Sequence, residues 1–428
     1  MTNKIQQVIK TADNKKAGVS AIHFFNKSFV RRGVMAEVRE AVLGRELVLA
    51  PSKANTWLAL LFGLLFAVGV AVGLHSFLVG HEHAYGVTRE IPWGILISTY
   101  VFFVVTSTGL CLTSSIGHVF GVQSLMPIAS RSVFLAIATI LSGFAVIGFE
   151  LENPWRMPIY NLISANPTSN IWWMGTLYGA YLFFMLVEFA LLKMGEHKKA
   201  GLAGLLGVIS GVAAHSNLGA VFGLLNSREF WHGPYMPIYF IASAMMSGGA
   251  AIIFFTWLAY KINGWELDAK MERALQVTAK IYALLIAVVM FFTCWKVISG
   301  LAGHPPGKYE AMMALLTGPF AFNFWFFEIG LGLVLPFVTI LAVRAKNIPV
   351  MAIVSGVALL SIFVMRYDLV VVGQIVPHFH GLDIVGQPHY YSYTPSLNEW
   401  LIVLGGFGLC GMLFFIGERI FRGHVDEH

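Results

Sequence analysis

Eight ionisable side chains lie where an apolar chain can least accommodate them. Within the 428 residues, His75, Glu150, Glu188, His215, Glu328, Arg366, Asp368 and Glu399 sit inside or at the ends of long apolar runs. A charge near a bilayer centre costs about 2.5–3.5 kcal/mol even on a lenient insertion scale, so each must face a bundle interior, a partner or water. Glu328 stands about 13 residues into its run, roughly 20 Å from the end at the helical rise, and so near the midplane. Carboxyls at such depths can take up and release protons. Glu188, Glu328, Arg366 and Asp368 therefore form a candidate proton route. The plainer alternative is interhelical ion pairing, Arg366 with Glu328 or Glu399. His215, in "AAHSNLGAVFG" beside Ser216 and Asn217, could exchange a hydrogen bond with a carbonyl or phenol oxygen of an apolar redox carrier. It could equally be a satisfied helical imidazole.

The elements that must carry these groups are helices in lipid. The chain is 57% hydrophobic and 12% charged, against roughly a quarter charged in soluble domains. About 20 apolar residues cross a bilayer as a helix, and that window gives ten candidate spans, roughly 56–79, 91–120, 130–150, 168–192, 202–225, 235–260, 273–298, 315–343, 349–372 and 397–420. The runs are continuous rather than alternating, which disfavours a barrel. The fold class expected is an all-α integral membrane protein.

Charge sets the expected orientation. With the N-terminus inside, 22 of the 28 Lys and Arg residues fall on the inner side and six, Arg89, Arg156, Arg228, Lys296, Lys308 and Arg366, on the other. That bias predicts both termini in the cytoplasm, in a cytoplasmic (inner) membrane. The net charge of +6 is thus a topology signal, and nucleic acid is rejected as a partner. Residues 1–54 read as a cytoplasmic segment in which Val30, Val34, Val38 and Val42 recur every four residues, an amphipathic helix for the membrane surface or a partner. Residues 423–428 read as a short tail. No cleavable signal peptide is expected.

Cofactor chemistry within the chain is disfavoured. Cys111, Cys294 and Cys410 are isolated, without the pairing of iron–sulfur, zinc or c-type haem sites. No predicted helix carries two well-spaced histidines, so haem b rests only on a meeting of His75 with His215. His81/His83 and His378/His380 are weak metal candidates, and no metal site is expected.

Several stretches resemble the NrfD/polysulfide-reductase membrane-subunit family. "EIPWGILISTYVFF" resembles the outer start of a family helix. In "ELENPWR", Glu150 takes the acidic position and Pro154 and Arg156 match directly. "NPTSNIWWMGTLYGAYLFFMLVEF", "AHSNLGAVFG", "HGPYMPIYFIASAMMSGGAAIIFF", "FWFFEIGLGLVLPF" and "YTPSLNEWLIVLGGFG" resemble the ten-helix branch that includes HybB and DsrP (HmeC-like), with "VVGQIVPHFHG…YSYTPS" favouring the latter. The resemblance spans roughly residues 55–420, and residues 55–422 read as one transmembrane domain of that family's kind. It implies two four-helix bundles with flanking helices, and menaquinone or another quinone bound near the outer face. It also implies a docked periplasmic ferredoxin-like iron–sulfur subunit, further membrane and cytoplasmic subunits, and a role in sulfur or sulfite metabolism. Trp173 stands where hydrogenase relatives carry a membrane-embedded Glu.

These residues combine into one expected site. The prolines of "FELENPWRMPIYNLISANPTSNIWW" bend the chain over the outer bundle end. Glu150 and Arg156 then pair beside Trp93, Gly94, His75, His215 and Asn217, a polar mouth for a quinone head group. Two rival readings are a bare anchor for peripheral redox subunits and a secondary transporter, which would need a midplane site on broken helices.

Overall fold

The computed structural model describes residues 51–382, 384–421 and 424. Residues 1–50 of the expected N-terminal segment lie outside them, as does the tail apart from His424. The described unit is helical, with no strand among the described residues. Among those residues, ten helices are long and apolar enough to cross a bilayer: α1 (Lys53–Val79), α2 (Ile95–His118), α3 (Met126–Glu150), α4 (Asn170–Lys193), α5 (His197–Gly223), α6 (Tyr235–Asn263), α7 (Ala269–Leu301), α8 (Asn323–Ala342), α9 (Ile348–Ile375) and α10 (Leu397–Phe421).

Ten crossings bring both ends of the described unit to one face. There Arg419 Nη1 donates to Thr56 Oγ1 at 2.9 Å, and Ser52 N donates to Asn263 Oδ1 at 2.8 Å. We call this the basic face. The other, the loop face, carries the long connections 80–94, 151–169, 224–234, 302–322 and 376–396.

Helices α2–α5 form one four-helix bundle and α6–α9 a second, with α1 and α10 paired on the flank against α3. Lipid gives helices no hydrophobic reason to associate, so close backbone packing must supply it. At the α2–α6 crossing that joins the bundles, a Cβ on Gly109 would strike the Ala244 carbonyl, and one on Gly248 the Gly109 backbone. Polar caps fix the helix starts: Ser52, Asp268 and Asn347 accept from the backbone N–H of Asn55, Met271 and Val350.

Two connections matter for the site. After α3 the chain turns into a short helix, Arg156–Ile163, held to the start of α4 by Trp172 Nε1 donating to Asn161 O at 2.9 Å. Trp173 Nε1 donates to Pro167 O at 2.8 Å, so this indole ties down the loop. The eighth span is not the single run expected at 315–343. A short helix Lys308–Leu316 ends before Gly318 and Pro319, and α8 then begins as a π-helix over Asn323–Val334 before continuing as α-helix to Ala342. Pro336 has no N–H to return to the preceding turn. Wide π turns are rare and cluster at functional sites, and this one carries Glu328.

Candidate functional site

Arg366, on α9, is fully buried at the junction of the two bundles. Its Nη2 donates to Ser243 Oγ on α6 at 2.7 Å, and its guanidinium carbon lies 5.3 Å from the Phe240 ring centre and 6.0 Å from that of Tyr239. Its Nε and Nη1 have no partner among the described residues. The expected ion pair with Glu328 or Glu399 does not form, because both carboxylates are already taken. Lys296 Nζ, on α7, donates to Glu328 at 3.1 Å. Glu399 closes a capping box at the start of α10: Ser396 N donates to its Oε2 at 2.8 Å while Glu399 N donates to Ser396 Oγ at 3.2 Å. Gly86 N and Tyr393 Oη complete it at 2.7 and 2.5 Å.

Lys296 departs from the sequence expectation, which groups it with the outer loop lysines. It stands five residues inside the end of α7 and is largely buried. Its place within the apolar run "MFFTCWKVISG" is the signal that could have found it.

A cavity of about 280 Å³ on the loop face reaches Lys296, lined by Trp231, His232, Tyr235, Trp295, Lys296 and Lys308 among others. Tyr235, Met236 and Lys296 also border a separate recess of about 10 Å³, room for about one water, bounded by Tyr239, Glu328, Met365 and Asp368. Asp368 Oδ1 accepts from Asn323 Nδ2 at 2.9 Å, and Oδ2 has no partner among the described residues. At the mouth, Lys308 Nζ donates to His232 O at 3.4 Å, and burial holds this ammonium below the usual lysine range. Tyr235 and Tyr239 stack at 5.3 Å along one wall.

His215 lies behind the same wall. It is fully buried; its Nδ1 meets Tyr178 Oη at 3.2 Å, and its Nε2 has no partner among the described residues. Its ring is 5.9 Å from that of Phe240, the aromatic that also abuts Arg366. Trp93 is one ring behind the cavity wall, stacked on Trp231 at 5.4 Å. It is held through its own backbone by Gln374, at 3.0 and 2.9 Å. Gly94 caps α2 where a Cβ would strike Tyr393 Oη. Asn217 Nδ2 donates to Asn170 O at 2.8 Å and so fixes the start of α4. Glu188 is paired with His118 at the basic end of the first bundle.

Other expected neighbours are not brought together. Glu150 sits at the loop-face end of α3 next to Tyr85, whose Oη donates to Phe149 O at 2.7 Å, and its Oε2 has no partner among the described residues. Arg156 does not pair with it. The turn at 151–155 places Arg156 at the head of a short helix with no buried residue, and its side chain is exposed. His75 is exposed on α1, which packs chiefly on α10, so it does not meet the buried His215. Among the described residues no three His, Cys, Asp or Glu side chains converge as a metal would require.

What the arrangement can do follows from its groups. It offers a route from the loop face, aromatic walls, and cations and carboxylates that can donate to, accept from and exchange protons with a polar ring. A family model described as polysulphide reductase, NrfD, matches residues 83–378. The chain is 26% identical over 377 residues to the Hdr-like menaquinol oxidoreductase integral membrane subunit of Archaeoglobus fulgidus, across 84% of this chain and 92% of that one. It is 26% identical over 376 residues to a selenate reductase subunit of Mesobacillus selenatarsenatis, across 78% and 86%. Protein NrfD of Escherichia coli is 22% identical over 318 residues, across 67% and 96%. The matched span takes in the cavity, Arg366 and both bundles, and the chain, a multi-pass integral membrane protein, belongs to the polysulphide reductase NrfD family.

Proposed function

We propose that this protein is the quinone-interacting membrane subunit of a respiratory redox complex, and that the head group enters the cavity between α6, α7, α8 and α9. The single observation that carries this reading is an aromatic-walled cavity on the loop face that reaches Lys296, whose ammonium is held by Glu328 beside a small recess bordered by Asp368. A quinone exchanges two electrons and two protons with its surroundings. Tyr235, Tyr239, Trp231 and Trp295 supply walls for a flat ring. Lys296 and Lys308 can donate to its carbonyl oxygens, and Glu328 and Asp368 can hold or release a proton beside them. Arg366, with Nε and Nη1 unpartnered among the described residues, adds a second buried cation near Tyr239 of the recess wall. The menaquinol named for the Archaeoglobus relative supports menaquinone as the carrier. Electrons pass to or from a docked iron–sulfur subunit on the loop face, which the positive-inside bias makes periplasmic. The branch resemblance supports a complex of sulfur or sulfite metabolism.

The reading departs from the sequence expectation in one respect. Glu150 and Arg156 become rim residues of the loop face, and His215 a neighbour of the recess. Short-chain menaquinone added to the purified protein should quench the fluorescence of Trp231 and Trp295. The double variant Trp231→Phe/Trp295→Phe should lose that quenching while still binding. Quenching that survives both replacements would move the head group elsewhere.

A further inference from the structure

Two adjacent residues near the loop-face end of α9 act on one indole. Gly373 has no side chain where the Trp231 ring lies, and a Cβ there would strike the indole. Trp231 Nε1 donates to Leu369 O on the same helix at 2.7 Å, so the ring rests on the α9 backbone and is fixed along its Nε1 edge. Trp93 stacks on Trp231 with ring centres 5.4 Å and planes 24° apart. Phe222 closes on both indoles edge to face, at 5.4 Å from Trp93 and 5.1 Å from Trp231. Of the three rings, Trp231 is the one that lines the cavity.

Gln374, the next residue of α9, holds the ring behind. It is 1% exposed and lines neither the cavity nor the recess. Trp93 N donates to its Oε1 at 3.0 Å, and its Nε2 donates to Trp93 O at 2.9 Å and to Val370 O at 2.8 Å. Trp93 stands two residues before α2, where no helical partner serves its backbone. An amide carries an acceptor and two donors in one plane, so it meets that N–H and C=O together, as a neighbouring strand would. A leucine would fill similar space and leave both groups stranded. Arg228 steadies the same corner: Nη1 donates to Gln374 O at 3.0 Å and Nη2 to Glu90 O at 3.1 Å. One guanidinium thus ties an end carbonyl of α9 to the 80–94 connection.

We propose that Gln374 is a positioning residue for the cavity: it locks Trp93 against Trp231 and so sets the angle of the aromatic wall that the head group meets. The proposal rests on the quinone reading for what meets that wall, and on these contacts for the wall itself. Gln374 acts through the Trp93 indole and does not touch the ligand. Trp93 leads through Gly94 into α2, so a wall of the cavity in the second bundle is aligned from the first residues of the first bundle.

Positioning and plain packing separate in a double-variant cycle. The stacked indoles should give an exciton couplet in the ultraviolet circular dichroism of the purified protein, assigned by its loss in Trp93→Phe and in Trp231→Phe. Gln374→Leu should lose that couplet while remaining folded, and its affinity for short-chain menaquinone, titrated by tryptophan quenching, should fall about tenfold. Trp93→Phe should weaken binding by the same factor, and adding Gln374→Leu to it should cost nothing further, because the amide acts through that indole. An intact couplet in Gln374→Leu, or two losses that add in full, overturns the proposal. If Gln374→Leu does not fold, Trp93→Phe decides: wild-type affinity in that variant overturns the proposal, and the loss supports it. A wild type that binds no menaquinone overturns the quinone reading instead, and the couplet then decides the positioning of Trp231 alone.

Discussion

Lys296 and Glu328 hold each other at 3.1 Å inside the second bundle, one from α7 and one from the π-helical start of α8. Removing one partner of a buried pair strands the other charge and costs about 3–5 kcal/mol, whereas removing both is far milder. Lys296→Met should therefore destabilise strongly, and Lys296→Met/Glu328→Gln should recover most of the loss. Reversible unfolding in mixed detergent, analysed as a double-mutant cycle, measures this.

Gly373 faces Trp231 so closely that a Cβ there would strike the indole. Gly373→Ala should displace this wall of the cavity and weaken menaquinone binding about tenfold, which is about 1.4 kcal/mol. Gly179→Ala, where a Cβ meets nothing within 4 Å, is the matched control and should leave binding unchanged. Titration of the tryptophan quenching reads both.

Arg156 is exposed and lines neither the cavity nor the recess. Arg156→Ala should shift stability by about 0.5 kcal/mol or less and leave menaquinone affinity untouched. A large loss of affinity would restore the mouth expected from "ELENPWR".

Lys308 gives the cavity a pH dependence. Burial lowers its pKa, so its ammonium is present below that lowered value and lost as pH rises through it, earlier than for an ordinary lysine near about 10.4. Menaquinone affinity should fall through that alkaline window, and Lys308→Met should be weak and flat across it. Stability moves the opposite way: between the folded and unfolded values the unfolded chain holds the extra proton, so folding is favoured as pH rises.

Hydropathy located the spans well because lipid imposes length and apolarity on every crossing: the run read at 397–420 is α10, Leu397–Phe421. It could not locate the break at Gly318–Pro319 or the π segment, whose composition is as apolar as any α-helix. Buried charge was equally legible as a class but not as pairs. Arg366 and Glu328 lie on neighbouring helices, and only the rotation of α7 decides that Lys296 takes the carboxylate. Glu188 and His215 were visible one by one. Their partners, His118 on α2 for Glu188 and Tyr178 on α4 for His215, emerge only when α2, α4 and α5 are packed together.

The most direct measurement maps a photoreactive short-chain naphthoquinone onto the purified protein by peptide sequencing after illumination. A head group in the cavity should leave labels within residues 231–239 and 295–296, suppressed by excess menaquinone and reduced in Gly373→Ala. Competable labels confined to the loop-face end of α3 around Glu150, with none on α6 or α7, would contradict it.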